Sequence, residues 1–227
     1  MKPALMAAIL LAGLLLGACG GTPAGAPTRE QAAEHAAITV VDARGRTIQF
    51  PEPPQRIVVA GKSSLTIINT LYLFPEARDR VVGLVVGRQK PGDFLAFVDP
   101  TFDQKEVLEV DAGPEQIAPL KPDVVVLRSF MAEQLGGPLD EVGIPVVYVD
   151  LETPEQYFRD LATLGQLLDS GARAEQIRSF YQSRLDSVQD ALAGSTGKPR
   201  TLVVQHSGQG GEVALFGPSA SWILTTG

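Results

Sequence analysis

The chain has 227 residues, 44% hydrophobic and 20% charged, a balance that supports a packed core and argues against wholesale disorder. Its 26 acidic and 19 basic side chains leave a net charge of −7; with no basic stripe, that surface repels a phosphate backbone, so nucleic acid is not the expected partner. Two histidines and one cysteine are little material for a zinc or copper cage, and neither a metal site nor a resident cofactor is expected.

Residues 1–18 read as an export signal. Met1 and Lys2 open it, Ala4 to Leu16 is almost wholly apolar, and the small Gly17 and Ala18 precede Cys19. A secretory apolar region runs about 7–15 residues, whereas a spanning helix needs about 20. The Gly/Pro/Ala tract from Gly20 to Pro27 argues against a buried core helix. Leu16-Gly17-Ala18-Cys19 resembles the bacterial lipobox, whose thiol is acylated and whose chain is cut just before it. The resemblance implies that Cys19 carries lipid, palmitate among it, and anchors the protein by burying methylenes at about 0.8 kcal/mol each. Residues 19–37 then read as a flexible tether.

The folded part opens with two β-rich runs, Ile38 to Asp42 and Arg46 to Phe50, joined through Arg44-Gly45 as a hairpin. Pro51, Pro53 and Pro54 forbid regular structure. Ile57 to Ala60 is a short buried strand. Gly61 ends it, and Ser63 or Ser64 is placed to cap a helix reaching about Leu73, with Leu65, Ile68, Leu71 and Tyr72 on one face. Val81 to Val86, Asp123 to Leu127 and Pro145 to Val149 are further buried strands. Met131 to Val142 is helical in pattern, with Gly136-Gly137-Pro138 as a break or kink. Unbroken β-branched runs alternating with helices predict a mostly parallel α/β sheet covered on both faces.

Two helices follow. Thr153 caps the first, with Pro154 in its first turn, and it runs to about Leu168. The second spans about Ala172 to Ala193, with Ile177, Phe180, Tyr181, Leu185, Val188 and Leu192 as its apolar stripe. At about 1.5 Å per residue it is roughly 30 Å long, enough to link two lobes. Beyond Pro199, Thr201 to Gln205 and Val213 to Phe216 read as strands around a glycine loop, and a helix starts near Ser219. The expected organisation is an N-terminal Rossmann-like α/β lobe at 38–168, a linking helix at 169–198, and the incomplete start of a second α/β lobe at 199–227.

This pattern resembles the substrate-binding proteins of ABC importers, in the class that carries ferric siderophores, haem and cobalamin. The likeness rests on Ile38-Thr39-Val40-Val41-Asp42 with Gly45, Pro54-Gln55-Arg56-Ile57-Val58 and Asp79-Arg80-Val81-Val82-Gly83. It continues through Gly113-Pro114-Glu115-Gln116-Ile117, Leu120-Lys121-Pro122-Asp123-Val124-Val125 and Gly143-Ile144-Pro145-Val146-Val147. It implies two lobes joined by one rigid helix and a ligand in the cleft between them. It also implies an anchored receptor, not an enzyme, that delivers a metal chelate to an ABC permease, outside the cytoplasm at the membrane.

Open α/β sheets bind ligands beyond the carboxyl ends of their strands. That rule selects Lys62, Ser63 and Ser64 after the first strand, Arg88 after the second, and Arg128, Ser129 and Phe130 after the third. His206 follows the first strand of the second lobe, and Trp222 is placed near the same mouth. Arginine and lysine suit anionic donor oxygens; Phe130 and Trp222 suit an apolar rim. Gly61-Lys62-Ser63 lacks the first glycine of a nucleotide-binding loop, because position 56 is Arg56. Gly208-Gln209-Gly210-Gly211 fails as a dinucleotide loop at Val213. Two other readings remain open: an exported serine hydrolase using Ser207 and His206, and a structural lipoprotein without ligand.

Overall fold

Each central strand carries β-branched residues on consecutive positions, so both of its faces must be covered. The structure is a computed structural model that describes residues 37–86 and 92–197 and the strands at 203–206 and 213–216. These residues belong to one unit, His35–Gly227. Five parallel strands make its sheet: β3 (Ile57–Val59), β4 (Val81–Val85), β5 (Glu106–Leu108), β6 (Val124–Arg128) and β7 (Val146–Val149), in the order β5-β4-β3-β6-β7. The chain moves outward from β3 through β4 to β5, returns to the other side of β3 as β6, and ends at β7. That reversal is a topological switch point between β3 and β6.

The pleat sends alternate side chains to opposite faces. Ile57, Val59, Val124, Val126, Val147 and Val149 join one core cluster with Ile67, Ile68 and Leu71 of α1 (Leu65–Leu71) and Leu161 and Leu164 of α6 (Pro154–Leu167). Val58, Val125, Leu127, Val146 and Tyr148 join the other with Ile117 of α4 (Pro114–Ile117) and Leu139 of α5 (Gly137–Glu141). The two-sided parallel sheet predicted from the β-branched runs is therefore present. The hairpin is present too, as β1 (Ile38–Val41) and β2 (Thr47–Phe50) in antiparallel register. Asp42 in its turn is buried and accepts the Arg46 guanidinium, while Arg46 lies 4.4 Å from the Tyr148 ring centroid.

Several local expectations need correction. Leu65 is 46% exposed and Ile67 takes the buried position, because α1 starts at Leu65 and turns Ile67, Ile68 and Leu71 to the sheet. The edge strand β5 carries only three residues, two of them exposed, so its sequence has no buried run to mark it. Between Ser129 and Glu141 the chain does not break. A 3-10 turn (Ser129–Met131), one π-helical turn (Ala132–Gly136) and α5 run on continuously. The wider turn absorbs Gly136-Gly137, and Pro138 sits in the first turn of α5. A short α2 (Ala77–Arg80) and α3 (Gly92–Val98) complete the first half.

The capping box at the start of α6 forms as its sequence indicates: Thr153 Oγ1 accepts the Gln156 amide at 3.2 Å, and Gln156 Oε1 accepts the Thr153 amide at 3.2 Å. In α7 (Gly171–Leu192) the predicted stripe is buried only at its start. Ala174 and Ile177 enter the core, whereas Phe180, Tyr181, Val188 and Leu192 are exposed. α6 and α7 pack closely at Gly165, where a Cβ would stand 2.6 Å from the Ala174 Cβ. β8 (Val203–His206) and β9 (Val213–Phe216) pair with each other, antiparallel. Among the described residues no helix is long and apolar enough to cross a membrane.

Candidate functional site

The β3/β6 switch point is flanked by the loops that leave these two strands. After β3 the chain turns at Gly61, φ +77, and at Ser63, φ +58. Glycine suits position 61 through its positive φ, and a Cβ there would stand 3.3 Å from the Met131 side chain of the neighbouring loop, a tight contact. Lys62 and Ser63 face solvent. Ser64 is buried and its hydroxyl does not cap α1; it donates to the Val85 carbonyl at 3.2 Å and ties this loop to the end of β4. The expected Ser64 cap is thus replaced by a strand contact.

Arg128 is the last residue of β6. The sequence placed it emerging at the sheet edge as a cation for ligand; in the fold its side chain is 3% exposed and pairs through Nη2 with Glu152, itself 54% exposed. Its Nε is buried and has no acceptor among the described residues. Phe130, 58% exposed, places its ring centroid 5.7 Å from the Arg128 guanidinium carbon. Ser129 donates through its hydroxyl to Asp150.

The loop after β7 is built by a second ionic group. Asp160, fully buried on α6, accepts the backbone amides of Asp150 at 2.6 Å and Leu151 at 2.9 Å. Arg159 bridges Asp160 at 2.8 Å and Asp150 at 2.9 Å. The hydrogen bond to Asp160, opposed by partial burial and reinforced by Asp150, holds the Arg159 guanidinium above its ordinary value. Gln156 also accepts the Glu152 amide at 3.1 Å. Asp150 and Glu152 lie in the stretch that follows the fourth buried strand, one of the strand ends where the sequence puts a ligand, whereas Asp160 is not among the residues expected at the site. A carboxylate on a helix facing a loop nine residues earlier leaves no periodic mark in sequence.

A buried guanidinium, an exposed aromatic ring and exposed Lys62 offer charge and apolar contact to a ligand with anionic oxygens. The chain matches the periplasmic binding protein family over residues 93–222.

The chain belongs to the periplasmic binding protein family. That family consists of binding proteins rather than enzymes and works outside the cytoplasm, as the sequence resemblance implied. Three solved structures share its fold. The TroA-like periplasmic binding protein FepB from Veillonella parvula is 22% identical with a TM-score of 0.59, covering 72% of this chain and 51% of its own. The siderophore binding protein BauB, solved with two acinetobactin molecules and ferric iron, is 20% identical with a TM-score of 0.61, covering 82% and 63%. The molybdate periplasmic binding protein MolA from Haemophilus influenzae, solved with molybdate, is 16% identical with a TM-score of 0.60, covering 70% and 55%. At these identities the likeness establishes the fold, and this chain spans 51–63% of their lengths. No curated protein matches the chain.

Within the family fold, Lys62, Ser63, Ser64, Arg128, Ser129 and Phe130 come together on adjacent loops at one end of the sheet. Arg88, Trp222, Ser207 and the anchor candidate Cys19 lie outside the described residues, as does the side chain of His206, whose backbone ends β8. Among the described residues no group of three His, Cys, Asp or Glu is arranged for a metal ion. Grooves of about 270 and 390 Å³ lie elsewhere, along α6 and α7. The first is apolar, lined by Tyr157, Phe158, Tyr181, Leu185 and Val188 among others; it carries no charge network like that at the strand ends.

Proposed function

We propose that this protein is a lipid-anchored receptor that delivers an anionic metal chelate to an ABC import permease. A ferric siderophore is the first candidate, with haem and cobalamin next. The observation that carries this reading is Arg128 beside exposed Phe130 at the switch point of a periplasmic binding protein fold. Metal arrives as cargo inside the chelate, so no resident cofactor is required. Residues 38–168 serve as one lobe, and α7 links it to a second lobe that begins after Pro199. The likeness to BauB supports the chelate reading. A smaller oxyanion is a second reading, favoured by the depth of Arg128 and the likeness to MolA.

Titration of the exported, mature protein with ferric siderophores, haem and cobalamin tests this, with intrinsic fluorescence as readout. Saturable binding of one chelate tighter than about 10 μM, roughly −7 kcal/mol, is expected; no response to any of them, with a response to molybdate, would replace the chelate by the oxyanion. For the anchor, palmitate labelling of expressing cells marks the wild-type protein and is absent from Cys19→Ala; equal labelling of both rules Cys19 out.

A further inference from the structure

Arg128 and Glu152 form an unequal pair. The arginine side chain is 3% exposed and the glutamate side chain 54%. The guanidinium sits at the end of a central strand, while the carboxylate hangs from a loop at the rim. One arginine nitrogen is engaged by Glu152, and the buried Nε has no acceptor among the described residues. Two independent observations therefore point to an incoming ligand: a counter-ion on the side open to solvent, and a buried donor left unused.

A buried arginine stripped of the carboxylate paired with it leaves an uncompensated charge, which is strongly unfavourable. Glu152 can swing into water, but only as another anionic oxygen takes its place. An oxyanion spanning Nε and Nη2 meets two donors where Glu152 meets one, the stronger bidentate arrangement. The competing carboxylate is tethered, however, so its effective concentration at the guanidinium far exceeds that of a free small anion. Gln156 and Asp160 hold its loop in place, which sharpens that advantage.

We propose that Glu152 is a displaceable internal counter-ion that determines specificity. It closes Arg128 to small anions and yields it to a ligand whose anionic oxygens are backed by further contacts around the mouth. This rests on the reading of that mouth as the chelate site. Phe130, beside the guanidinium, and exposed Lys62, on the loop after the adjacent strand β3, are sources of those further contacts, and neither is available to a lone phosphate in the same degree as to a bulky chelate. In the empty receptor the pair keeps the guanidinium neutralised, and on binding Glu152 is released to solvent.

Two titrations of the full chain test this, each on wild type, Glu152→Gln and Glu152→Asp. In the first, inorganic phosphate is added and the Arg128 side-chain Nε–H resonance is followed by NMR. Glu152→Gln is expected to respond at a phosphate concentration at least about tenfold below wild type, a difference of about 1.4 kcal/mol. Glu152→Asp, which keeps the charge, retains the wild-type exclusion. In the second, ferric tris-catecholate is added, and Glu152→Gln is expected to bind it about tenfold more tightly than wild type. A phosphate response that is the same in wild type and Glu152→Gln overturns the proposal, even if tris-catecholate binds both. A gained phosphate response with no tris-catecholate binding to any variant upholds the counter-ion and overturns the chelate reading instead. Glu152→Gln takes the charged partner from buried Arg128, whereas Glu152→Asp keeps it; circular dichroism confirms that each variant is folded.

Discussion

Asp160, fully buried on α6, accepts the amide of Leu151 at 2.9 Å across nine residues of chain. Leu151 has φ +58, a left-handed conformation that costs a non-glycine residue roughly 1–2 kcal/mol. The carboxylate offsets that cost by taking two adjacent amides of one loop. It thereby fixes where Asp150 and Glu152 stand beside Ser129 and Arg128.

Asp160→Ala follows directly. It leaves two backbone amides without their acceptor and removes one partner of Arg159. A loss of about 2–4 kcal/mol is expected from buried, charge-assisted hydrogen bonds, read from the urea unfolding midpoint. The same variant should tighten chelate binding, because the loop that carries the competing Glu152 is no longer held at the guanidinium. A midpoint equal to wild type would show that the loop holds itself.

A second carboxylate gives the stability its acid limb. Asp99 is fully buried, which pushes its pKa up, but hydrogen bonds from Thr101, Tyr72 and Lys105 outweigh burial and hold it below the ordinary value. Burial and the same Asp99 push the Tyr72 phenol well up. Because the folded pKa of Asp99 is depressed, its contribution is complete above the unfolded value, about pH 4. It is lost as the pH falls through the folded value. Asp99→Asn should therefore be less stable than wild type at neutral pH and flatter below pH 4 in thermal melts; parallel curves for the two proteins would contradict this.

Gly136 is a packing requirement of the π-helical turn. A Cβ there would stand 1.8 Å from the Tyr148 hydroxyl oxygen. Gly136→Ala should cost about 1–3 kcal/mol through overpacking. The double variant with Tyr148→Phe should recover part of that loss, since the nearest clashing atom is gone. No recovery would place the strain in the backbone.

The buried face of α6 and the outer part of α7 should respond differently. Leu164, fully buried against the sheet, should lose about 2–5 kcal/mol as Leu164→Ala. Phe180→Ser, at a position 51% exposed, should stay within about 0.5 kcal/mol. A large effect at Phe180 in the full chain would mean that another part of the protein covers this face in solution.

Elements whose burial is local were legible before any coordinates. Ile57 to Val59, Val124 to Leu127 and Val146 to Val149 carry apolar, mostly β-branched residues without a break, so two covered faces and a parallel sheet followed from the residues themselves. Thr153, Pro154 and Gln156 announced α6, because a cap is satisfied within four residues. β5 escaped, since a three-residue edge strand buries only Leu108. The exposed half of α7 escaped for the opposite reason: its apolar spacing states what the helix can cover, not whether a partner is there.

The site divides along the same line. Sequence by itself determined which residues leave the carboxyl ends of the strands, and so brought Lys62, Ser64, Arg128 and Phe130 into one region. Only the tertiary structure decided that β3 and β6 are neighbours at a switch point, that Arg128 is engaged by Glu152, and that Asp160 holds the loop between β7 and α6. Strand identity depends on a few adjacent side chains, whereas an ion pair depends on where separate elements stop in space. Strand order and helix docking set that distance, and no spacing along the chain encodes it.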